Sequence, residues 1–152
     1  MKIMSFNCWG LDGPVKRTAF RRVTLEHPNV IMLQETLGVG EEIKVRLESW
    51  LPGWAFLTLD SRGRSGGLAI GWNDRSVKML NSWGRESVLG IYLQALDLGD
   101  FFTVVNIYGP YINRIPFWES LLSDPLLNGD SVILRGDFNF SLGQTEVWGP
   151  RD

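Results

Sequence analysis

The sequence has very few of the side chains that make disulfides or zinc sites. Its 152 residues include one cysteine, Cys8, and one histidine, His27. A single cysteine excludes an internal disulfide framework, and two such residues are too few for an ordinary zinc site. Neither sign of charge predominates, because 15 basic residues nearly balance 17 acidic ones, for a formal net charge of -2. Any nucleic acid must therefore be held locally or through a metal ion.

Long apolar segments are absent too. No run approaches the roughly 20 residues of a transmembrane helix, and the N-terminus turns polar by Asn7, too early for a secretory signal. We find no repeat, linker or low-complexity segment, so we predict a single domain over residues 1–152 with a core drawn from the 44% hydrophobic residues. We expect an intracellular protein, neither secreted nor membrane-bound, with the nucleus as a candidate compartment.

Short apolar runs and helical patterns alternate along the chain, which favours the α/β class. The spacing predicts strands at 2–6 and 30–33 and helices at 14–26 and 41–50. Between residues 54 and 107, five short segments separated by Gly, Asn, Asp and Ser predict antiparallel strands. A short helix at 116–122 and a buried strand at 131–134 follow.

Four of the predicted strands end on side chains that can bind a metal ion or a phosphate. These residues are Asn7, Glu35, Tyr108, and the pair Asp137 and Asn139. If the strands run parallel within α/β layers, their C-terminal ends share one rim, where open sheets bind ligands. Carboxylate and amide oxygens form a hard ligand set that suits Mg²⁺, with Mn²⁺ as a substitute. As alternatives, the two Asn and Asp137 could be turn formers and Tyr108 a core aromatic, whereas a buried, unpaired Glu35 would be costly.

Two basic segments are candidate nucleic-acid contacts. The glycine-rich stretch 61–67 contains Arg62 and Arg64 but lacks the Lys-Ser/Thr ending of a phosphate-binding loop, so we expect a flexible loop that faces nucleic acid. The predicted helix at 14–26 carries four basic residues on one face: Lys16, Arg17, Arg21 and Arg22. That face is either simply solvated or a patch that contacts a nucleic-acid backbone.

Four short motifs resemble a known family. Phe6-Asn7, Leu33-Gln-Glu-Thr36, Asn106-Ile-Tyr-Gly-Pro110 and Gly136-Asp-Phe-Asn139 are similar to the ordered motifs of the endonuclease/exonuclease/phosphatase superfamily. More narrowly, the longer phrase from Asn106 to Glu119 resembles the apurinic-type endonuclease domain at the N-terminus of plant LINE (non-LTR) retrotransposon reverse-transcriptase proteins. Each motif alone is weak, but four in this order are specific.

The resemblance implies a fold, a substrate and a set of roles. It implies a four-layer α/β sandwich of the deoxyribonuclease type, DNA as the substrate, and a reverse-transcriptase domain in full-length relatives. Glu35 would be the main Mg²⁺ ligand, with Asn7 organising metal and phosphate. Tyr108 would contact the scissile phosphate, Asp137 would orient or deprotonate the attacking water, and Asn139 would hold the phosphate or the developing oxyanion. Independently of the resemblance, the basic residues Arg62 and Arg64 of the glycine-rich stretch are predicted to bind substrate.

The sequence departs from the family pattern in two places. It stops at Asp152 without the family's Ser-Asp-His motif, and Tyr111 stands where many relatives have Asn. The only histidine, His27, is predicted to be a surface or capping residue. We therefore expect a C-terminally truncated, aggregation-prone domain with weak or no DNA-nicking activity. The alternatives are a phosphatase or phospholipase of the same superfamily, or a decayed fragment without catalysis.

Overall fold

A computed structural model describes residues 1–62 and 65–140, and of Arg62 and Ser65 only the backbone. Within these residues the chain forms two four-stranded sheets and three α-helices. In chain order the elements are β1 (Ile3–Asn7), α1 (Pro14–Thr24), β2 (Val30–Gln34), α2 (Gly40–Trp50), β3 (Trp54–Arg62), β4 (Ser65–Asn73), β5 (Val77–Arg85), β6 (Val88–Ala95), β7 (Phe101–Tyr108), α3 (Arg114–Leu122), a 3-10 turn (Pro125–Leu127) and β8 (Val132–Asp137).

Each sheet combines one parallel pair with antiparallel neighbours. The first sheet has the order β1-β2-β4-β3, and only β1 and β2 run parallel. The second has the order β5-β6-β7-β8, and only β7 and β8 run parallel. Both parallel pairs are joined through a helix, as a parallel connection requires. The antiparallel strands predicted from residue 54 onward are confirmed.

The alternation of side chains between the two faces of each strand explains how the layers stack. In β2, which is buried at all five positions, Ile31 and Leu33 pack against α1 and α2, while Val30 and Met32 face the second sheet. On the far side, Leu121 of α3 packs on the outer face of β7. The order is therefore helices, sheet, sheet, helix, and the expected four-layer α/β sandwich is confirmed. An uninterrupted apolar run such as β2 is typical of a strand covered on both faces.

Three expectations about burial and extent were wrong. Helix α1 ends at Thr24, two residues early, and of its apolar positions only Phe20 is buried, while Val15 is 77% exposed. Strand β8 is half-buried at Val132 to Leu134, because it has one neighbouring strand in the described structure. Strand β5, predicted from the sequence over residues 77–80, continues to Arg85, with an irregularity between Met79 and Asn81.

The glycine-rich stretch 61–67 is also more regular than expected. Strand β3 extends through Arg62 and strand β4 starts at Ser65, with Ser61 paired to Gly66. The predicted loop is thus mostly a narrow antiparallel hairpin, because ladder hydrogen bonds continue almost to its tip. Within the two described ranges, no helix has the length and apolar character needed to cross a membrane.

Candidate active site

The two parallel pairs, β1 with β2 and β7 with β8, end at the same rim of the sandwich, although they belong to different sheets. Asn7, the last residue of β1, donates from Nδ2 to Glu35 Oε1 and to Asp137 Oδ2, both at 2.9 Å. Glu35 follows β2 in the first sheet, whereas Asp137 ends β8 in the second. One amide group therefore connects two carboxylates and the two sheets.

A second set of contacts fixes the orientation of Asp137. Its Oδ1 accepts the backbone N–H of Asn139 at 3.0 Å, so each carboxylate oxygen has a donor. The Asn139 side chain donates from Nδ2 to the carbonyl oxygen of Gly109 at 2.6 Å, which ties the segment after β8 to the segment after β7. Gly109 in turn donates its N–H to the Asp137 carbonyl at 2.7 Å.

Tyr108 completes the cluster from the end of β7. The residue is 8% exposed, and its hydroxyl lies near the side chains of Tyr111 and Glu35. Burial, and then the influence of these two neighbours on the hydroxyl, raises the pKa of Tyr108 well above its usual range. The phenol therefore stays protonated at neutral pH and can donate a hydrogen bond to an anionic oxygen. The structure thus brings together Asn7, Glu35, Tyr108, Asp137 and Asn139.

Unfavourable backbone geometry is concentrated in the segments that carry these side chains. Trp9, Glu35 and Asn139 have φ of 43°, 54° and 51°, in the left-handed region that is uncommon for residues other than glycine. Gly136 in β8 has φ of 149°, and a Cβ there would collide with the backbone carbonyl of Ile107. The close approach at Gly136 is therefore to the neighbouring strand β7. Strained backbone of this kind clusters at functional sites.

The donor set fits a hard divalent cation. Mg²⁺ is usually held by one or two carboxylates and retains several waters, and Glu35 and Asp137 supply two carboxylates at the rim. Asn7 Oδ1 accepts the N–H of Trp9 at 3.2 Å, so its Nδ2 is the atom that faces both carboxylates. In the described residues, no group of three or more His, Cys, Asp or Glu side chains converges on one point. This composition suits Mg²⁺ with its waters better than a zinc ion held by protein ligands alone.

Sequence reasoning missed a buried polar bridge under the site. Gln34 Nε2 donates to Asn106 Oδ1 at 2.5 Å, and Asn106 Nδ2 donates to the carbonyl oxygens of Leu33 and Ala69 at 2.9 and 3.0 Å. Gln34 and Asn106 are 1% and 0% exposed. Both lie on the inward face of their strands, where alternation predicts apolar residues. An amide at such a position in an apolar strand was the signal that could have revealed the bridge.

Cys8 lies beside the cluster without joining it. Its Sγ donates to the Gln34 carbonyl at 3.0 Å, and burial raises the pKa of the thiol to about 11. Lys16, from the basic face of α1, donates from Nζ to the Cys8 carbonyl at 2.5 Å. That part of the basic face therefore reaches the site.

His27 is exposed shortly after the end of α1, as predicted.

The structure does not place the two arginines predicted to bind substrate. Arg64 lies outside the described residues, and Arg62 is described only by its backbone, in the last position of β3. Their role stays a prediction.

Comparisons with known proteins identify the family of this chain and proteins that share its fold. The profile of the Endonuclease/Exonuclease/phosphatase family matches residues 4–151. Recombination repair protein 1 of Drosophila melanogaster is 25% identical over 162 aligned positions, which take in all of this chain and 24% of that protein. The chain thus spans about a quarter of this curated relative.

Solved structures share the fold at lower identity. A mannosyl-6-phosphatase of Bacteroides thetaiotaomicron superimposes with a TM-score of 0.70 at 15% identity, covering 94% of this chain and 67% of that one. TDP2 of D. rerio, complexed with a single strand DNA product, gives a TM-score of 0.70 at 18% identity, covering 91% and 60%. At these identities the matches show the fold alone.

Proposed function

Because the chain belongs to the endonuclease/exonuclease/phosphatase family, we propose that it hydrolyses phosphodiester bonds of DNA in a Mg²⁺-dependent reaction. The family comprises hydrolases of phosphodiesters and phosphomonoesters. The observation that carries the proposal is the single Asn7 amide that holds the Glu35 and Asp137 carboxylates 2.9 Å away on either side. Such a pair supplies a place for a cation and a base for water at the same rim.

Each side chain has a role that its contacts support. Glu35 would hold a Mg²⁺ ion, which would supply positive charge to neutralise the phosphate oxygens. Asp137, fixed by Asn7 and by the N–H of Asn139, accepts a proton from the water that attacks phosphorus. The new bond joins the water oxygen to phosphorus as the bond to the leaving oxygen breaks, and the leaving oxygen keeps the electron pair and takes a proton from solvent water. Tyr108, kept protonated, donates to a phosphate oxygen whose charge increases.

DNA is the proposed substrate for two reasons. The Drosophila relative is named a recombination repair protein, and the D. rerio structure contains a single strand DNA product. The phrase from Asn106 to Glu119 also resembles plant LINE endonuclease domains, so we propose a retrotransposon-type nicking enzyme that works beside a reverse-transcriptase domain.

Nicking of supercoiled plasmid tests the proposal. We expect relaxed circles to form slowly with Mg²⁺, in line with the weak activity predicted from the sequence, and none to form with EDTA. Asp137→Asn should lower the rate at least about 100-fold, because a general base contributes about 10²–10⁴. Glu35→Gln should lower it about 100-fold or more, because it removes the carboxylate that would hold the cation, whose charge stabilisation contributes several kcal/mol. The matched controls are Glu42→Gln and Asp97→Asn, two exposed carboxylates outside the cluster, and both should nick at the unaltered rate.

Thermal melting of all four variants separates catalysis from folding. Folded Glu35→Gln or Asp137→Asn that still nicks DNA at the unaltered rate would contradict the assigned roles. Hydrolysis of small phosphate monoesters with no action on DNA would instead indicate a phosphatase. A folded chain that binds DNA but hydrolyses neither substrate would indicate a non-catalytic protein.

A further inference from the structure

Two large aromatic rings stand in solvent beside the site, one on the flank formed by the first sheet and one on the flank formed by the second. Trp9 is 78% exposed and lies two residues after Asn7, to whose Oδ1 its backbone N–H donates. Tyr111 is 67% exposed, and its ring meets that of Tyr108 edge-on with centroids 6.5 Å apart. One ring therefore follows β1 and the other follows β7.

Folding alone does not explain the exposed tryptophan. A ring left in water contributes little hydrophobic stabilisation, and a bulky residue at φ of 43° is unfavourable. Isolated exposed apolar side chains are common and need no explanation. Here, however, the strained residue is hydrogen-bonded to the amide that bridges Glu35 and Asp137.

Each flank also carries a cation anchored to the backbone of the site. On the Trp9 side, Lys16 donates to the carbonyl of Cys8. On the Tyr111 side, the guanidinium of Arg114 donates to the carbonyl of Asn139. An aromatic ring next to a cation is the combination that binds single-stranded nucleic acid, because the ring stacks on a base while the cation attracts the neighbouring phosphate.

We propose that Trp9 and Tyr111 stack on the nucleobases on either side of the phosphate held by the site, so that the enzyme selects DNA whose bases are unpaired there. Bases inside a duplex are already stacked on their neighbours and would first have to be extruded. This inference rests on the proposed function, since it takes the Asn7, Glu35 and Asp137 cluster as the place of the scissile phosphate.

Binding measured without turnover tests the inference. We would follow fluorescence anisotropy of a labelled single strand of about 12 nucleotides, within the site sizes of single-strand binders, and of its fully paired duplex, both in EDTA. The variants are Trp9→Asn, Trp9→Phe and Tyr111→Ala. Asparagine tolerates left-handed backbone, so Trp9→Asn removes the ring without adding strain. Phe101→Ala is the matched control, since Phe101 is 46% exposed at the other end of β7, about 23 Å from Tyr108 at 3.3 Å per residue.

We expect the unaltered protein to prefer the single strand. Trp9→Asn and Tyr111→Ala should each weaken single-strand binding about 5- to 150-fold, which corresponds to about 1–3 kcal/mol of stacking per base. Trp9→Phe should retain most of the affinity, duplex binding should change little, and Phe101→Ala should match the unaltered protein. Equal single-strand affinity in Trp9→Asn and the unaltered protein, or a preference for duplex, would overturn the inference.

The plasmid assay keeps the two proposals separate. Ring-dependent single-strand binding without any hydrolysis would reject the proposed function and support the stacking site. Mg²⁺-dependent hydrolysis of DNA with unchanged binding in Trp9→Asn would support the function and reject the stacking site.

Discussion

Replacing Asn106 with alanine should destabilise the whole fold and not only the site. Asn106 makes three side-chain hydrogen bonds at a position with 0% exposure: one from Gln34 and two to main-chain carbonyls. At a net 0.5–1.5 kcal/mol each, their loss costs about 1.5–4.5 kcal/mol, and a buried polar group left without its partner adds to this. Gln34 keeps one partner, because its Nε2 also reaches Ser5 Oγ at 3.1 Å. We therefore expect a loss of about 3–5 kcal/mol.

Urea unfolding measures this loss directly. A domain of ordinary stability has only about 5–15 kcal/mol, so Asn106→Ala should lower the urea midpoint by about a fifth or more. Asn128→Ala is the control, since Asn128 is exposed after the 3-10 turn and should change the free energy of unfolding by less than about 0.5 kcal/mol.

A double-mutant cycle with Gln34→Ala isolates the contact between the two amides. The coupling free energy should fall in the range of about 0.5–3 kcal/mol seen for residues in one hydrogen-bond network. Nicking by folded Asn106→Ala should also drop, because the bridge positions Glu35 and Tyr108, one and two residues further along their strands. An Asn106→Ala variant that loses less than about 1 kcal/mol, with no coupling to Gln34, would refute the assignment of this bridge as a structural anchor.

Two further predictions concern Gly136 and Cys8. Gly136→Ala should lower the free energy of unfolding by about 2–5 kcal/mol, since it adds left-handed strain and a clash with Ile107. The control is Gly99→Ala, at φ of 73° with open space around it, which should lower the free energy of unfolding by only about 1 kcal/mol. Equal losses of stability in the two variants would contradict the clash. Because burial raises the pKa of Cys8 from 9.0 to about 11, its contribution to stability is complete below pH 9 and falls between pH 9 and 11 by about 2–3 kcal/mol. Measuring the free energy of unfolding as a function of pH for the unaltered protein and for Cys8→Ser checks the direction of this change. The same pH dependence in both proteins would refute it.

The positions of the strands and of the rim could be predicted from the sequence because the relevant signals are local. Apolar runs that end on Asn7, Glu35 and Asp137 combine strand periodicity with turn-forming or charged residues over a few positions. Burial was less predictable, since it depends on what covers a segment. Strand β8 has the apolar pattern of a buried strand but lies at an edge of the described sheet, and Val15 of α1 fits a helical stripe yet faces solvent.

The contacts between the sheets lie beyond local signals. Gln34 and Asn106 are separated by 72 positions, and Asn7 and Asp137 by 130. Their pairing follows from how the two sheets are aligned, which is decided by the packing of the inner faces and not by either strand alone. The positions of Trp9 and Tyr111 beside the cluster likewise depend on how the two sheets are aligned, and no local sequence signal predicts them.

The side chains of the site are positioned in two different ways. Asn7 and Glu35 belong to one sheet, where β1 and β2 pair directly and Asn7 lies opposite Gln34, so their contact follows from the backbone ladder. Asp137 reaches the same amide from the other sheet, so its distance to Asn7 depends on the apolar layer between the sheets. Packed interiors shift between discrete arrangements and do not deform freely. The Gln34 to Asn106 bridge lies within that layer, and its hydrogen bonds favour the observed alignment, because a shift that separated the two amides would leave buried polar groups without partners. The pair of carboxylates on which the proposed chemistry depends is therefore set by a buried amide pair that contacts neither metal nor substrate.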